Sequence, residues 1–142
     1  MGWAVLALAS AVVQAQEFPD SPALAVREGW IRAAPPTAPV RAGYGEIANP
    51  GREAVVIDAV RSEAFGAIEI HEMHEVEGVM RMRRRPSLTL APGEGVSLQP
   101  GGLHLMLFRA AAPLEPGARV SIGFFAGEVE VGRGEFVVRE AP

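Results

Sequence analysis

Three histidines and, beyond Met1, four methionines are the soft or imidazole donors of this chain, and all seven fall between His71 and Met106. They are His71, Met73, His74, Met80, Met82, His104 and Met106. Methionines that merely fill core gaps have no reason to gather around every histidine. Residues two apart on a strand share a face, which sharpens the clue. In the stretch Gly102-Leu103-His104-Leu105-Met106-Leu107-Phe108, three leucines form one apolar face and His104 and Met106 project from the other. Ile68 and Ile70 share a face and leave His71 and Met73 opposite them, while Met80 and Met82 oppose Arg81 and Arg83. Imidazole with thioether is a donor set for copper(I). Thioether sulfur is soft and neutral, whereas carboxylate and water suit magnesium, calcium or manganese. Zinc recruits histidine, cysteine or carboxylate, and copper(II) prefers nitrogen and oxygen in a tetragonal array. Methionine does not titrate, so only the histidines would make such a site pH-dependent.

Each of these residues also has a plainer role. Met80 fits a core gap equally well, and Met73 and His74 read as surface neighbours, secondary contacts rather than essential ligands. His104 beside its leucine stripe has a structural alternative, against which its pairing with Met106 argues. Glu69, Glu72, Glu75 and Glu77 read as a solvated face, with a carboxylate contribution to a zinc or copper(II) site as the alternative. Arg83-Arg84-Arg85 reads as a solvated patch rather than a partner surface. The chain contains no cysteine. That removes catalytic thiols, iron–sulfur ligation and the cysteine-containing blue-copper site together, so any soft ligand must be methionine.

The elements that must position these donors are short strands. Ten stretches are expected as strands, at 25–32, 42–48, 54–61, 67–74, 78–83, 87–90, 95–98, 103–108, 119–125 and 128–139. Between them stand turn signals: Asn49-Pro50-Gly51, Ala91-Pro92-Gly93, Pro100-Gly101-Gly102 and Pro116-Gly117. No apolar period of 3.6 persists beyond the first residues, so antiparallel pairing in a sandwich or Greek-key barrel is expected. Proline-rich residues 35–39 cannot sit in a central strand and read as a stiff loop between the first two. With 142 residues, 16 Gly and 12 Pro, the chain makes one domain of many turns. Its formal charge of −4 gives no electrostatic reason to expect nucleic acid or an anionic membrane as partner. Residues 1–15 carry an apolar run too short to span a bilayer, followed by a Val13-Gln14-Ala15 cleavage pattern, and read as a signal peptide. No Lys or Arg precedes that run, and a buried first helix is the alternative. Residues 16–24 are a lead-in and 25–142 the sandwich domain.

The spacing of the donors is itself distinctive. His71, Met82, His104 and Met106 form the pattern H-x10-M-x21-H-x-M, which resembles the PCuAC family of periplasmic copper chaperones. Further segments resemble that family in order: Gly29-Trp30-Ile31-Arg32-Ala33-Ala34-Pro35-Pro36, Ala42-Gly43-Tyr44, Asn49-Pro50-Gly51, Glu69-Ile70-His71, Val79-Met80-Arg81-Met82 and Pro100-Gly101-Gly102-Leu103-His104. The resemblance runs from about Glu28 to Phe125. It implies a cupredoxin-like sandwich that binds one copper(I) through His71, Met82, His104 and Met106. It also implies delivery to the binuclear copper centre of cytochrome c oxidase (subunit II) alongside Sco-type thiol proteins, in the periplasm; a monomer is expected. Some relatives add a His- and Met-rich tail; the end read here, Arg139-Glu140-Ala141-Pro142, has none, which argues against a second copper site.

The expected mechanism is ligand exchange. A thioether-rich site binds copper(I) less tightly than thiolates, so transfer to a cysteine-containing acceptor runs downhill, with residues 35–39 and the turns near His71 and Pro100 as a candidate docking rim. A copper-dependent oxidase or dismutase would need more imidazole and an open coordination position. A copper storage or resistance protein, and a sandwich whose methionines only fill space, are the remaining alternatives.

Overall fold

The structure, a computed structural model, describes residues 23–142. The expected signal peptide and most of the lead-in lie outside the described residues. Leu24, at the end of that lead-in, is buried, and its N–H donates to Val131 O at 2.8 Å.

Eleven strands and no helix make up the described residues: β1 (Ala25–Arg32), β2 (Val40–Ala48), β3 (Val55–Ile57), β4 (Ala59–Arg61), β5 (Phe65–Val76), β6 (Val79–Arg84), β7 (Leu88–Leu90), β8 (Gly95–Leu98), β9 (Leu103–Ala110), β10 (Arg119–Ala126) and β11 (Val129–Arg139). The large sheet runs β1-β11-β10-β4-β5-β9-β2-β8, and an added β1–β2 pairing closes it on itself; β3 and β7 form a second, two-stranded sheet. The result is the all-β sandwich that the alternating pattern predicts. Ile31, Ile70, Leu105, Leu107, Ile122, Phe124, Phe136 and Val138 point inward and fill it. Burial of one face only is what fixes the register, since a slip of one residue would turn every leucine outward.

Two expectations are corrected. The stretch 54–61 is two strands, because the chain changes partners at Asp58: β3 pairs with β7, and β4 pairs with β10 and β5. Asp58 secures the crossing, its Oδ1 accepting from Gly127 N at 2.8 Å and its N–H donating to Phe125 O at 2.9 Å. Pairing is also not purely antiparallel, since β1 lies parallel to β11. A parallel pair needs a long connection, and here the whole domain between the two strands supplies it.

The stretch that matters for chemistry is β5 with its two neighbours. Along one edge β5 pairs with β9 and along the other with β6, the latter joined by the Glu77-Gly78 turn, both residues at positive φ (51° and 79°). Beyond Glu72 this hairpin projects past the end of β9, and every residue of β6 is exposed.

Candidate metal site

The register places the donors in rows across the outer face of β9, β5 and β6. His71 stands directly opposite His104, and Glu69 opposite Met106. On the other edge Met73 stands opposite Met82, Arg84 opposite His71 and Glu75 opposite Met80. Directly opposed side chains begin about 5 Å apart, and successive rows on one face lie roughly 7 Å apart. The imidazole row is therefore flanked by the Met106 row on one side and the Met73–Met82 row on the other. Met106, the two histidines, Met73 and Met82 thus share the outer face of three neighbouring strands. Met80 sits one row further out and is half-exposed. His74 belongs to the opposite face, across from Arg81, and strand alternation keeps it out of the cluster.

The two rings lie 6.1 Å apart, centroid to centroid, at 37°. His104 is only 7% exposed although it stands on the outer face. Its Nδ1–H donates to Gly102 O at 2.9 Å; a carbonyl only accepts, so Nε2 keeps its lone pair. His71 bonds through Nε2 to Glu69 Oε2 at 2.8 Å, and its Nδ1 is buried with no hydrogen-bond partner. That buried ring nitrogen without a partner, on the strand next to His104, is free to take a cation. Among the described residues no three His, Asp or Glu side chains stand close enough to hold a metal. The other donors on this face are the thioethers of Met106, Met73 and Met82, which suit a soft ion.

Tyr44 and Trp30 flank the cluster on its β2 side, a role that the sequence reading did not assign. Tyr44 lies 6.5 Å from the His104 ring and 4.6 Å from Trp30. Arg139 covers Trp30 at 4.3 Å and Arg32 covers Tyr44 at 5.8 Å. The aromatic pair and His104 are all buried although they stand on the outer face. The signal available in the sequence was two aromatics at alternating, outward positions of the first two strands, where polar residues would be ordinary.

Behind the site, Glu72 holds the hairpin. Arg85 Nη1 donates to its Oε2 at 2.9 Å and Arg83 Nη2 at 3.0 Å. Hydrogen bonds from Arg85 and then Arg83 hold the Glu72 carboxyl below the usual carboxylate range. A depressed folded value means that the contribution is complete above the ordinary carboxylate pKa and is lost as pH falls through the lowered one. Acid is thus expected to loosen the hairpin in the wild type, and Glu72→Gln to remove that acid-side dependence; amide exchange along β6 against pH checks both.

Surface hollows elsewhere carry different residues. One of about 450 Å³ is lined by Arg61, Ser62, Arg119, Ser121 and Arg133. Residues 35 and 36 line another, of about 410 Å³, with Leu114, Pro116 and Glu140 rather than with any His or Met of the cluster.

Solved structures share this fold. The apo PCuAC domain from PmoF1 superposes with a TM-score of 0.67 at 23% identity, over 86% of this chain and 98% of that one. The solution structure of CuI-DR1885 from Deinococcus radiodurans gives a TM-score of 0.58 at 22% identity, over 89% of this chain and 82% of that one. In sequence, "Putative lipoprotein Lxx21020" of Leifsonia xyli subsp. xyli is 30% identical over 98 residues, 68% of this chain. The chain spans 58% of that relative's length. Residues 24–132 match the family described as "Putative lipoprotein LpqE-like", and the chain belongs to that LpqE-like family.

Proposed function

We propose that this chain is an exported copper(I) chaperone that carries one ion between His71, His104, Met106 and Met82 and hands it to a thiol-containing or binuclear copper acceptor. The observation that carries the reading is the opposed pair His71–His104, flanked on one outer face by Met106 and by Met73–Met82. Two imidazoles with thioethers and no thiolate favour the reduced ion and bind it less tightly than a cysteine pair would. The fold shared with domains named for copper, one of them in its CuI form, supports the same assignment. Its lipoprotein-named relative supports export to the periplasm, and no helix among the described residues is long and apolar enough to cross a membrane.

Met82 is the half-exposed member, on an edge strand, and His104 the buried one. Copper would leave from the Met82 side, where an acceptor's sulfur can enter as the β6 thioether lets go, while His104 releases last. No bond is made or broken in the protein, and no redox change is required. The acceptor proposed is the binuclear copper site of cytochrome c oxidase, reached directly or through a Sco-type protein. A titration of the domain with copper(I) against a competing chelator is expected to give one equivalent, with sulfur and nitrogen neighbours at the copper absorption edge. Failure to bind stoichiometrically, or a shell of nitrogen and oxygen only, would overturn the reading. Oxygen or superoxide consumption above that of free copper would point to an enzyme instead.

A further inference from the structure

We propose that Glu69 is a positioning residue that fixes which nitrogen His71 offers: His71 binds through Nδ1, whereas His104 binds through Nε2. The inference rests on the copper(I) reading above and specifies its ligand atoms. A carboxylate only accepts hydrogen bonds, so the 2.8 Å contact from His71 Nε2 to Glu69 Oε2 places the ring proton on Nε2. The lone pair is then on Nδ1, the atom that is buried without any partner. Were the proton on Nδ1, or the ring doubly protonated, an N–H donor would be left buried and unpaired, at the usual cost of about 1–3 kcal/mol. Glu69 shares the outer face of β5 with His71, two residues away, and stands opposite Met106. Arg84, opposite His71 on β6, lies 3.7 Å from the other Glu69 oxygen and holds the carboxylate on the histidine's side.

On the neighbouring strand the assignment is reversed. Gly102 O accepts a hydrogen bond from His104 Nδ1–H at 2.9 Å, which leaves the Nε2 lone pair for the ion. The two opposed rings thus carry crossed tautomers. An outer carboxylate also raises the basicity of the ligating imidazole. A plain surface ion pair between Glu69 and a charged His71 would give none of this tautomer selection.

Ring-nitrogen NMR of the 15N-labelled protein tests the proposal without any activity assay. In the metal-free wild type, His71 is expected as the Nε2–H form and His104 as the Nδ1–H form. Silver(I), a spin-active stand-in for copper(I), is expected to show coupling to His71 Nδ1 and His104 Nε2. Glu69→Ala should spread the His71 coupling onto Nε2 and weaken binding about 10–100-fold, the usual cost of an outer-shell partner. Glu69→Gln keeps an accepting oxygen and should restore most of both. Coupling at His71 Nε2 in the wild type, or a Glu69→Ala spectrum identical to wild type, would overturn the proposal. Loss of all histidine coupling to silver would sink the copper reading, whereas an Nδ1–H form of His71 in the metal-free protein would sink the Glu69 role alone.

Discussion

Replacing His104 by alanine is expected to lower copper(I) affinity by more than about 100-fold, beyond the 10–100-fold typical of an outer-shell partner, because a directly bonding atom is lost. No other histidine can take its place: His74 is on the wrong face of β5, and among the described residues no three His, Asp or Glu side chains are grouped to hold a metal. The domain should stay folded. His104 lies outside the leucine core; its removal takes one of two donors from Gly102 O, which keeps Met73 N at 3.2 Å, and one neighbour from Tyr44, which keeps Trp30. That costs about 1–2 kcal/mol, against a stability of about 5–15 kcal/mol for a typical domain. Met106→Leu makes the cleaner companion, since it conserves volume and removes only the sulfur. Competition against a copper(I) chelator, with thermal unfolding in parallel, measures both terms. Wild-type affinity in His104→Ala and Met106→Leu together would show that these side chains only occupy space.

Why the cluster could be read from residues alone is visible in β9. Leucines at 103, 105 and 107 must face one way, so His104 and Met106 must face the other, whatever the partner strands are. The same alternation marks β8 at 95–98. What alternation could not supply was which strands are neighbours. The break at Asp58 depends on a hydrogen bond from Gly127, far along the chain, and the parallel β1–β11 pair depends on closure of the whole sheet. Glu69 shows the same limit at the site. As one of four nearby glutamates it reads as solvated surface, and only its contact with His71 Nε2, together with the orphaned Nδ1, sets it apart from Glu72, which faces the opposite side and binds arginines. The resemblance supplied Met82 but could not rank it against Met73, which the register places directly across from it and on His71's own strand.

Leu105→Ala is expected to do the converse of His104→Ala: to destabilise the domain heavily and leave the affinity of its folded molecules within about threefold. Leu105 is fully buried and stands opposite Ile70, one residue along from the His71–His104 pair but on the inner face. Truncating a leucine in such a position costs about 2–5 kcal/mol, part lost transfer energy and part cavity. For a domain of this size that lowers Tm by roughly 10–20 °C. Because the pleat turns the side chain away from the donors, the cavity opens beneath the sheet rather than beside the rings. Copper(I) at about 100 times its Kd should therefore add about 2.7 kcal/mol to wild type and to Leu105→Ala alike. In His104→Ala, whose affinity is lost, that increment should vanish although its metal-free Tm stays near wild type. Unfolding scans of the three proteins with and without copper(I) separate the two faces of one strand. An increment lost in Leu105→Ala and retained in His104→Ala would mean that the ion is held inside the leucine core and not on the outer face.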